Sequence, residues 1–138
     1  MMVGSHYYIG LSERTNLVGA SQLQAFLAEH ALTSTLVPVS TALHLKSVLT
    51  YLEHETLLTE MDAVLPPALQ HMKNVIQLPS HSPGLNCVNI NDHVLVPAGY
   101  PQLEADLKKR MNNVDLIRLD LSEFQKLDGG LTCLSLRF

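Results

Sequence analysis

Cys133 is the residue of this chain best suited to covalent chemistry. It lies in the segment Leu127–Phe138, LDGGLTCLSLRF, where Gly129 and Gly130 precede an apolar run of strand-forming residues. Glycines permit backbone conformations that other residues resist, so the pattern predicts a tight turn that presents a thiol on a strand. A nucleophile would be presented in this way, but free cysteine is also among the most buried residue types. The segment alone therefore leaves open a catalytic thiol or a core cysteine.

Catalysis by Cys133 would need a base, and His44, within LHLKS, is the candidate for that role. The thiolate form of cysteine is the nucleophile, and a neighbouring imidazolium lowers its pKa. The other interpretation of His44 is a buried histidine whose ring is satisfied by a backbone carbonyl. Arg14 is a third candidate, because its guanidinium could bind a carboxylate, although it could equally lie in solvent at a helix start.

The other histidines and Cys87 give weaker signals. The seven histidines show no HxH or HExxH spacing and the chain has no CxxC motif, so we predict no metal site and no cofactor. Cys87 falls in an alternating strand pattern and is predicted to be structural. With two cysteines and no start typical of a signal peptide, we expect a reduced, cytoplasmic protein without a Cys87–Cys133 disulfide.

Apolar periodicity and capping signals predict a succession of strands and helices around these residues. Helices are expected at about 16–30, 66–73 and 101–111, and strands at 6–11, 36–39, 75–78, 87–90, 93–96 and 114–119. Leu43–Leu52 and Thr56–Glu60 are predicted to be extended and joined by a turn at Glu53–Glu55, although the leucines of the first segment also fit a helix. Leu23 lies on the apolar stripe of the first helix, and replacing it by alanine is expected to cost about 2–5 kcal/mol if that face is buried.

The chain contains an internal repeat. His6–Thr50 and His93–Phe138 both follow the order strand, helix, strand, and these are succeeded by LHLKS in one and LTCLS in the other, with a shorter strand–helix–strand unit between them. Such periodicity is typical of repeat architectures, in which equivalent strands converge on one axis. The superposition places His44 and Cys133 at matching points of two repeats, where the two side chains could meet.

Composition limits the classes of function. At 138 residues, 46% of them hydrophobic, the chain is long enough for one globular domain and too short for two ordinary ones. The net charge of −4 and the scattered lysines and arginines argue against a nucleic-acid surface and suit a small cation better. No apolar run is long enough to predict a membrane span.

Three segments resemble the dimethylarginine dimethylaminohydrolases, a family within the guanidino-modifying superfamily that includes amidinotransferases. These segments are GLSERTN at Gly10–Asn16, LHLKS at Leu43–Ser47 and SEFQKLDGGLTCLSLRF at Ser122–Phe138. The resemblance covers essentially the whole chain and corresponds to the C-terminal half of the family's proteins. It implies an α+β fold of repeated ββαβ units, the α/β propeller called a pentein, with only part of the five-bladed ring present.

The resemblance also implies roles for individual residues. Cys133 corresponds to the nucleophile, His44 to the general acid and base, Arg14 to a substrate-binding arginine and Leu127 to a residue whose backbone carbonyl binds substrate. The implied substrate is a small cationic guanidino amino acid, dimethylarginine, hydrolysed to citrulline and dimethylamine. In the family, carboxylates from the first half of the protein hold the guanidinium. We therefore expect a complementary N-terminal half or a homo-oligomer, and little or no hydrolase activity from the isolated chain.

Two other functions remain open at this point. An arginine deiminase or another guanidino-modifying enzyme would use the same Cys-His pair with a different leaving group. A non-catalytic half-domain would instead oligomerise or bind a partner chain through its unpaired sheet edge.

Overall fold

Three small sheets built on one plan make up the fold of the computed structural model, which describes residues 1–61 and 63–136. In each sheet the strands lie in chain order, the first pair antiparallel and the second pair parallel. The strands are β1 (Met2–Val3), β2 (His6–Leu11) and β3 (Thr33–Pro38), then β4 (Leu49–Tyr51), β5 (Thr56–Glu60) and β6 (Asn74–Leu78), then β7 (Val88–Ile90), β8 (His93–Pro97) and β9 (Asp115–Leu119). The chain is therefore a mixed α+β protein with a threefold repeat of small sheets.

Each parallel pair needs a crossover connection, since parallel strands cannot be joined by a tight hairpin. Helix α1 (Leu17–Glu29) supplies it in the first sheet and α2 (Pro101–Arg110) in the third. In the second sheet the described residues of the crossover contain the 3-10 helix Pro67–Leu69 and no α-helix, so the helix predicted at 66–73 is reduced to one 3-10 turn. Its turns close with hydrogen bonds three residues apart, from Gln70 N to Pro67 O and from Met72 N to Leu69 O. The middle unit has three strands like the other two.

Helix α1 begins after Asn16, whose side-chain oxygen accepts a hydrogen bond from the backbone N–H of Gly19 at 2.9 Å. This satisfies one of the free donors at the helix start. Ala20 and Leu27 are buried against the first sheet, whereas the side chain of Leu23 is 44% exposed. The predicted burial of Leu23 is therefore wrong, because the buried stripe of this helix is narrower than its apolar stripe.

Two larger clusters of buried side chains join neighbouring units. One lies between the first and second sheets and includes Tyr8, Val37 and Leu57. The other lies between the second and third sheets and includes Leu58, Cys87 and the buried face of α2. Leu43–Leu52 contains the 3-10 helix Leu45–Ser47 followed by β4, so it is neither wholly extended nor an α-helix.

The chain after β9 forms the short helix α3 (Ser122–Gln125) and then a series of turns. Cys133 lies in one of these turns, so its predicted place on a strand is wrong. The carbonyl oxygen of Gly130 accepts hydrogen bonds from the backbone N–H groups of Cys133 (3.1 Å) and Leu134 (3.2 Å), which closes the turn. Arg137 and Phe138, the end of the predicted strand, lie outside the described residues. Within the described part of the chain, no helix has both the length and the apolar character needed to cross a bilayer.

Candidate active site

A cavity of about 670 Å³ lies where three loops meet, and both His44 and Cys133 line it. Each loop follows the last strand of one sheet. The wall segments are 39–44 with Ser47 after β3, 81–83 with Asn86 after β6, and Leu121, Gln125, 128–130 and Cys133 after β9, joined by Glu13 from the segment after β2.

His44 is the residue immediately before the 3-10 helix Leu45–Ser47, and it is exposed. This helix packs directly on β2 at Gly10, where a Cβ would lie 2.9 Å from the Cβ of Leu45. A larger residue in place of Gly10 would therefore push the helix away. Ser12 Oγ adds a second tie by donating a hydrogen bond of 2.7 Å to the carbonyl oxygen of Leu43. The backbone that carries His44 is thus fixed against the first sheet.

Cys133 is exposed, in contrast to Cys87, which is fully buried in the core. Burial raises the pKa of the Cys87 thiol to about 12, with a smaller opposing effect from Lys46. Cys87 Sγ lies 3.2 Å from the carbonyl oxygen of Gly84, to which it donates its hydrogen bond. A thiol that stays protonated and inaccessible is a poor nucleophile, so the structural assignment of Cys87 agrees with its environment.

Arg14 and Leu127 do not line the cavity, although each neighbours a residue that does, Glu13 and Asp128 respectively. Arg14 is exposed in a tight turn, where its backbone N–H donates to Ser12 Oγ at 3.2 Å. Leu127 is 87% exposed after α3. The structure therefore brings two of the four predicted site residues to the cavity and leaves the other two beside it.

The sequence did not point to Asn86, His81 or Glu60 as residues of the site. Asn86 and His81 line the cavity, and the buried Glu60 accepts hydrogen bonds from two wall residues, His81 and Thr41. His81 appears in the sequence as one histidine in a polar loop, without a spacing that would distinguish it. The sequence did contain a signal for Glu60, which is the one charged residue of the strand TLLTE. A glutamate is rarely buried unless its carboxylate has partners, so burial of this strand end implies such partners.

The charged residues of the cavity wall are two carboxylates, Glu13 and Asp128, and the wall contains no lysine or arginine among the described residues. Within that same part of the chain, no group of three histidine, cysteine or carboxylate side chains is arranged to hold a metal ion. A thiol and an imidazole in one cavity can carry out nucleophilic substitution, the imidazole transferring the proton. The carboxylates favour a cationic ligand.

Solved structures with a similar fold include an amidinotransferase. An inosamine-phosphate amidinotransferase from Streptomyces griseus superposes with a TM-score of 0.75 over 95% of this chain and 42% of its own, at 23% identity. At that identity the likeness shows the fold alone. No family model matches the chain.

Over its whole length the sequence is similar to two curated dimethylarginine dimethylaminohydrolases. It is 44% identical to the enzyme of Pseudomonas aeruginosa, covering 100% of this chain and 54% of the relative, and 31% identical to that of Streptomyces coelicolor, covering 99% and 52%. A cysteine-to-serine mutant of the Pseudomonas enzyme complexed with citrulline superposes with a TM-score of 0.90 at 42% identity, covering 100% of this chain and 53% of that one. The chain spans about half the length of the curated relatives it matches.

Proposed function

We propose that this chain carries the cysteine–histidine part of a hydrolase that converts dimethylarginine to citrulline and dimethylamine. The observation that carries the proposal is that Cys133 and His44, from different repeats, line one cavity. The homology to dimethylarginine dimethylaminohydrolases supports the same substrate. Both of these relatives are named as hydrolases of dimethylarginine, so a deiminase or a non-catalytic half-domain is not favoured.

The reaction divides into two steps. The Cys133 thiolate attacks the central guanidinium carbon, and His44 donates a proton to the dimethylamine that leaves, so that an S-linked amidino intermediate remains. His44 then removes a proton from water, which attacks the same carbon. The carbon–sulfur bond breaks, citrulline is released and the thiolate is restored. One imidazole serves both steps because the proton it gives up in the first is regained in the second.

The charge of the cavity suits this substrate. A guanidinium taken out of water needs opposite charge and hydrogen bonds, and Glu13 and Asp128 bring two carboxylates to the wall. Arg14 is proposed to bind the carboxylate of the substrate amino acid. The backbone carbonyl of Leu127 is proposed to accept a hydrogen bond from a donor group of the substrate. Both remain predictions supported by the family resemblance and by their position next to the cavity wall.

The remaining part of the site is proposed to come from outside this chain. Three sheets of one plan would make up part of a five-bladed pentein ring, and a complementary N-terminal half or a second copy would close it. Leu127, Leu134 and Leu136 support this view, because they are 87%, 50% and 91% exposed and lie in the segment that contains Cys133. We expect a cytoplasmic enzyme and little activity from the isolated chain.

The proposal is tested by alkylation of Cys133 with chloroacetamidine, a cationic reagent that resembles the guanidinium, beside the neutral reagent chloroacetamide. Cys133 is expected to react faster than a cysteine in a model peptide near neutral pH, with a preference for the cationic reagent that exceeds the peptide's. His44→Ala should remove the acceleration, whereas His30→Ala, at the end of α1, should not. A wild-type rate equal to that of the peptide would contradict the proposal.

A further inference from the structure

We propose that Asn86 is a positioning residue that holds the turn bearing Cys133 in place; this inference rests on the proposed function. Asn86 Oδ1 accepts two hydrogen bonds from Thr132, from its backbone N–H at 2.9 Å and from its hydroxyl at 3.0 Å. Thr132 immediately precedes Cys133. A backbone N–H can only donate, so the side-chain amide must present its oxygen to this turn.

Asn86 contacts the other end of the same turn as well. At Gly130 a Cβ would lie 2.8 Å from Asn86 Cγ and 2.9 Å from both of its terminal atoms. Gly130 also supplies the carbonyl oxygen that closes the turn on Cys133. The side-chain amide of Asn86 therefore contacts Gly130, which begins the turn, and accepts two hydrogen bonds from Thr132, which precedes the thiol.

The backbone of Asn86 is itself well fixed. It caps the 3-10 helix Pro83–Leu85, and its N–H donates to the carbonyl oxygen of Pro83 at 3.1 Å. The neighbouring residues Leu85 and Cys87 are both fully buried in the cluster between the second and third sheets. The side chain of Asn86 thus links the polar side of the turn to the core, beside Leu131 of the same turn, which is buried against Val88 and Leu121.

The turn needs this support because no strand carries it. On a strand, ladder hydrogen bonds would set the direction of the Cys133 side chain. Cys133 instead lies in an exposed turn, and the hydrogen bonds from Thr132 to Asn86 replace the missing ladder. Without them the thiol would be held less firmly at the cavity wall that it shares with His44.

The experiment compares Asn86→Ala with the matched control Asn74→Ala, because Asn74 also bridges distant segments but lies outside the cavity wall. Asn74 Nδ2 donates to the carbonyl oxygens of His54 and Arg110. Two readouts are taken on the full chain: amide hydrogen exchange in 130–136, and the pH profile of iodoacetamide alkylation at Cys133, with the modified residue assigned by mass spectrometry. Asn86→Ala should speed exchange in this segment. It should also lower the alkylation rate of Cys133 about tenfold on the acid side of that profile, because a less ordered turn presents the thiol poorly.

A second pair of variants keeps the test decisive if Asn86→Ala does not fold. Thr132→Val removes only the hydroxyl donor and should lower the alkylation rate of Cys133 less than Asn86→Ala does. Thr132→Ser retains both donors and should keep the wild-type profile. Unchanged exchange in Asn86→Ala, or equal effects of Asn86→Ala and Asn74→Ala, would overturn the inference. A wild-type Cys133 that is alkylated no faster than a model thiol would instead overturn the proposed function, and hydrogen exchange would then decide alone whether Asn86 holds the turn.

Discussion

Glu60 Oε1 accepts a hydrogen bond of 3.1 Å from the backbone N–H of His81, which joins the end of β5 to a loop of the cavity wall. The other oxygen of this carboxylate accepts a hydrogen bond from Thr41 Oγ1 at 3.3 Å, in the loop that leads to His44. Glu60 is only 4% exposed. One buried carboxylate therefore ties two of the three wall segments together.

Replacing Glu60 by alanine should lower the free energy of unfolding by about 1–3 kcal/mol, because it leaves the N–H of His81 without its acceptor. Glu60→Gln retains an acceptor oxygen and should cost less. Urea denaturation measures both effects. The control is Glu123→Gln, which alters an exposed ion pair with Lys126 and should change stability by no more than about 0.5 kcal/mol. Equal stabilities of Glu60→Ala and wild type would show that the bridge contributes nothing.

In the complete enzyme, Cys133→Ser should abolish turnover of dimethylarginine, because the nucleophile is lost. The fold should be retained, because Cys133 is exposed and the substitution leaves no core cavity. His44→Ala should lower kcat about 10²–10⁴-fold, the usual contribution of a general acid and base. Dimethylarginine and arginine are assayed side by side as substrates, and release of citrulline and of the amine is measured for each. Circular dichroism checks the fold. A wild-type rate in either variant would exclude that residue from catalysis.

Stability should depend on Leu27 much more than on Leu23, although both lie on α1. Leu27 is 9% exposed and packs on the first sheet, so Leu27→Ala should cost about 2–5 kcal/mol. Leu23 is 44% exposed, and Leu23→Ala should cost less than about 1 kcal/mol. Thermal or urea unfolding of the two variants provides the comparison. A larger cost at Leu23 would place the buried face of α1 elsewhere.

The buried thiol of Cys87 should make the protein less stable in alkali. Its pKa is raised from 9.0 to about 12 in the folded chain, so the folded state keeps a proton that the unfolded state loses. The free energy of unfolding should be fully retained below pH 9 and fall above it by up to about 1.4 kcal/mol per pH unit for this group.

Cys87→Ala isolates this contribution, because Tyr8, Tyr51 and Tyr100, whose pKa values are also raised by burial, titrate in both proteins. Urea unfolding between pH 8 and about 10.5 should show a shallower fall in the variant than in wild type. Parallel curves would mean that the thiol of Cys87 titrates alike in the folded and unfolded states.

Much of the fold followed from local signals. Asn16 marks the start of α1, and Pro101 the start of α2, because capping and proline geometry are properties of a few neighbouring residues. The turn between β7 and β8 was also predictable, and Asn91 there adopts a φ of 44° that asparagine tolerates without glycine. The repeat indicated correctly that the chain consists of similar units.

The turn at Cys133 could not be predicted in this way. Its sequence favours a strand, whereas the turn is held by contacts distant in sequence: Thr132 bonds to Asn86, 46 residues earlier in the chain, and Leu131 packs against Val88. The bridge through Glu60 likewise depends on loops brought together only by the packing of the sheets. The residues that could act chemically were recognisable from type and resemblance, whereas the residues that hold them in place were not.

Because the three main wall segments follow the last strands of three different sheets, one segment can lengthen or shorten while the strand pairings stay as they are. The shape of the cavity can therefore change one loop at a time on an unchanged scaffold.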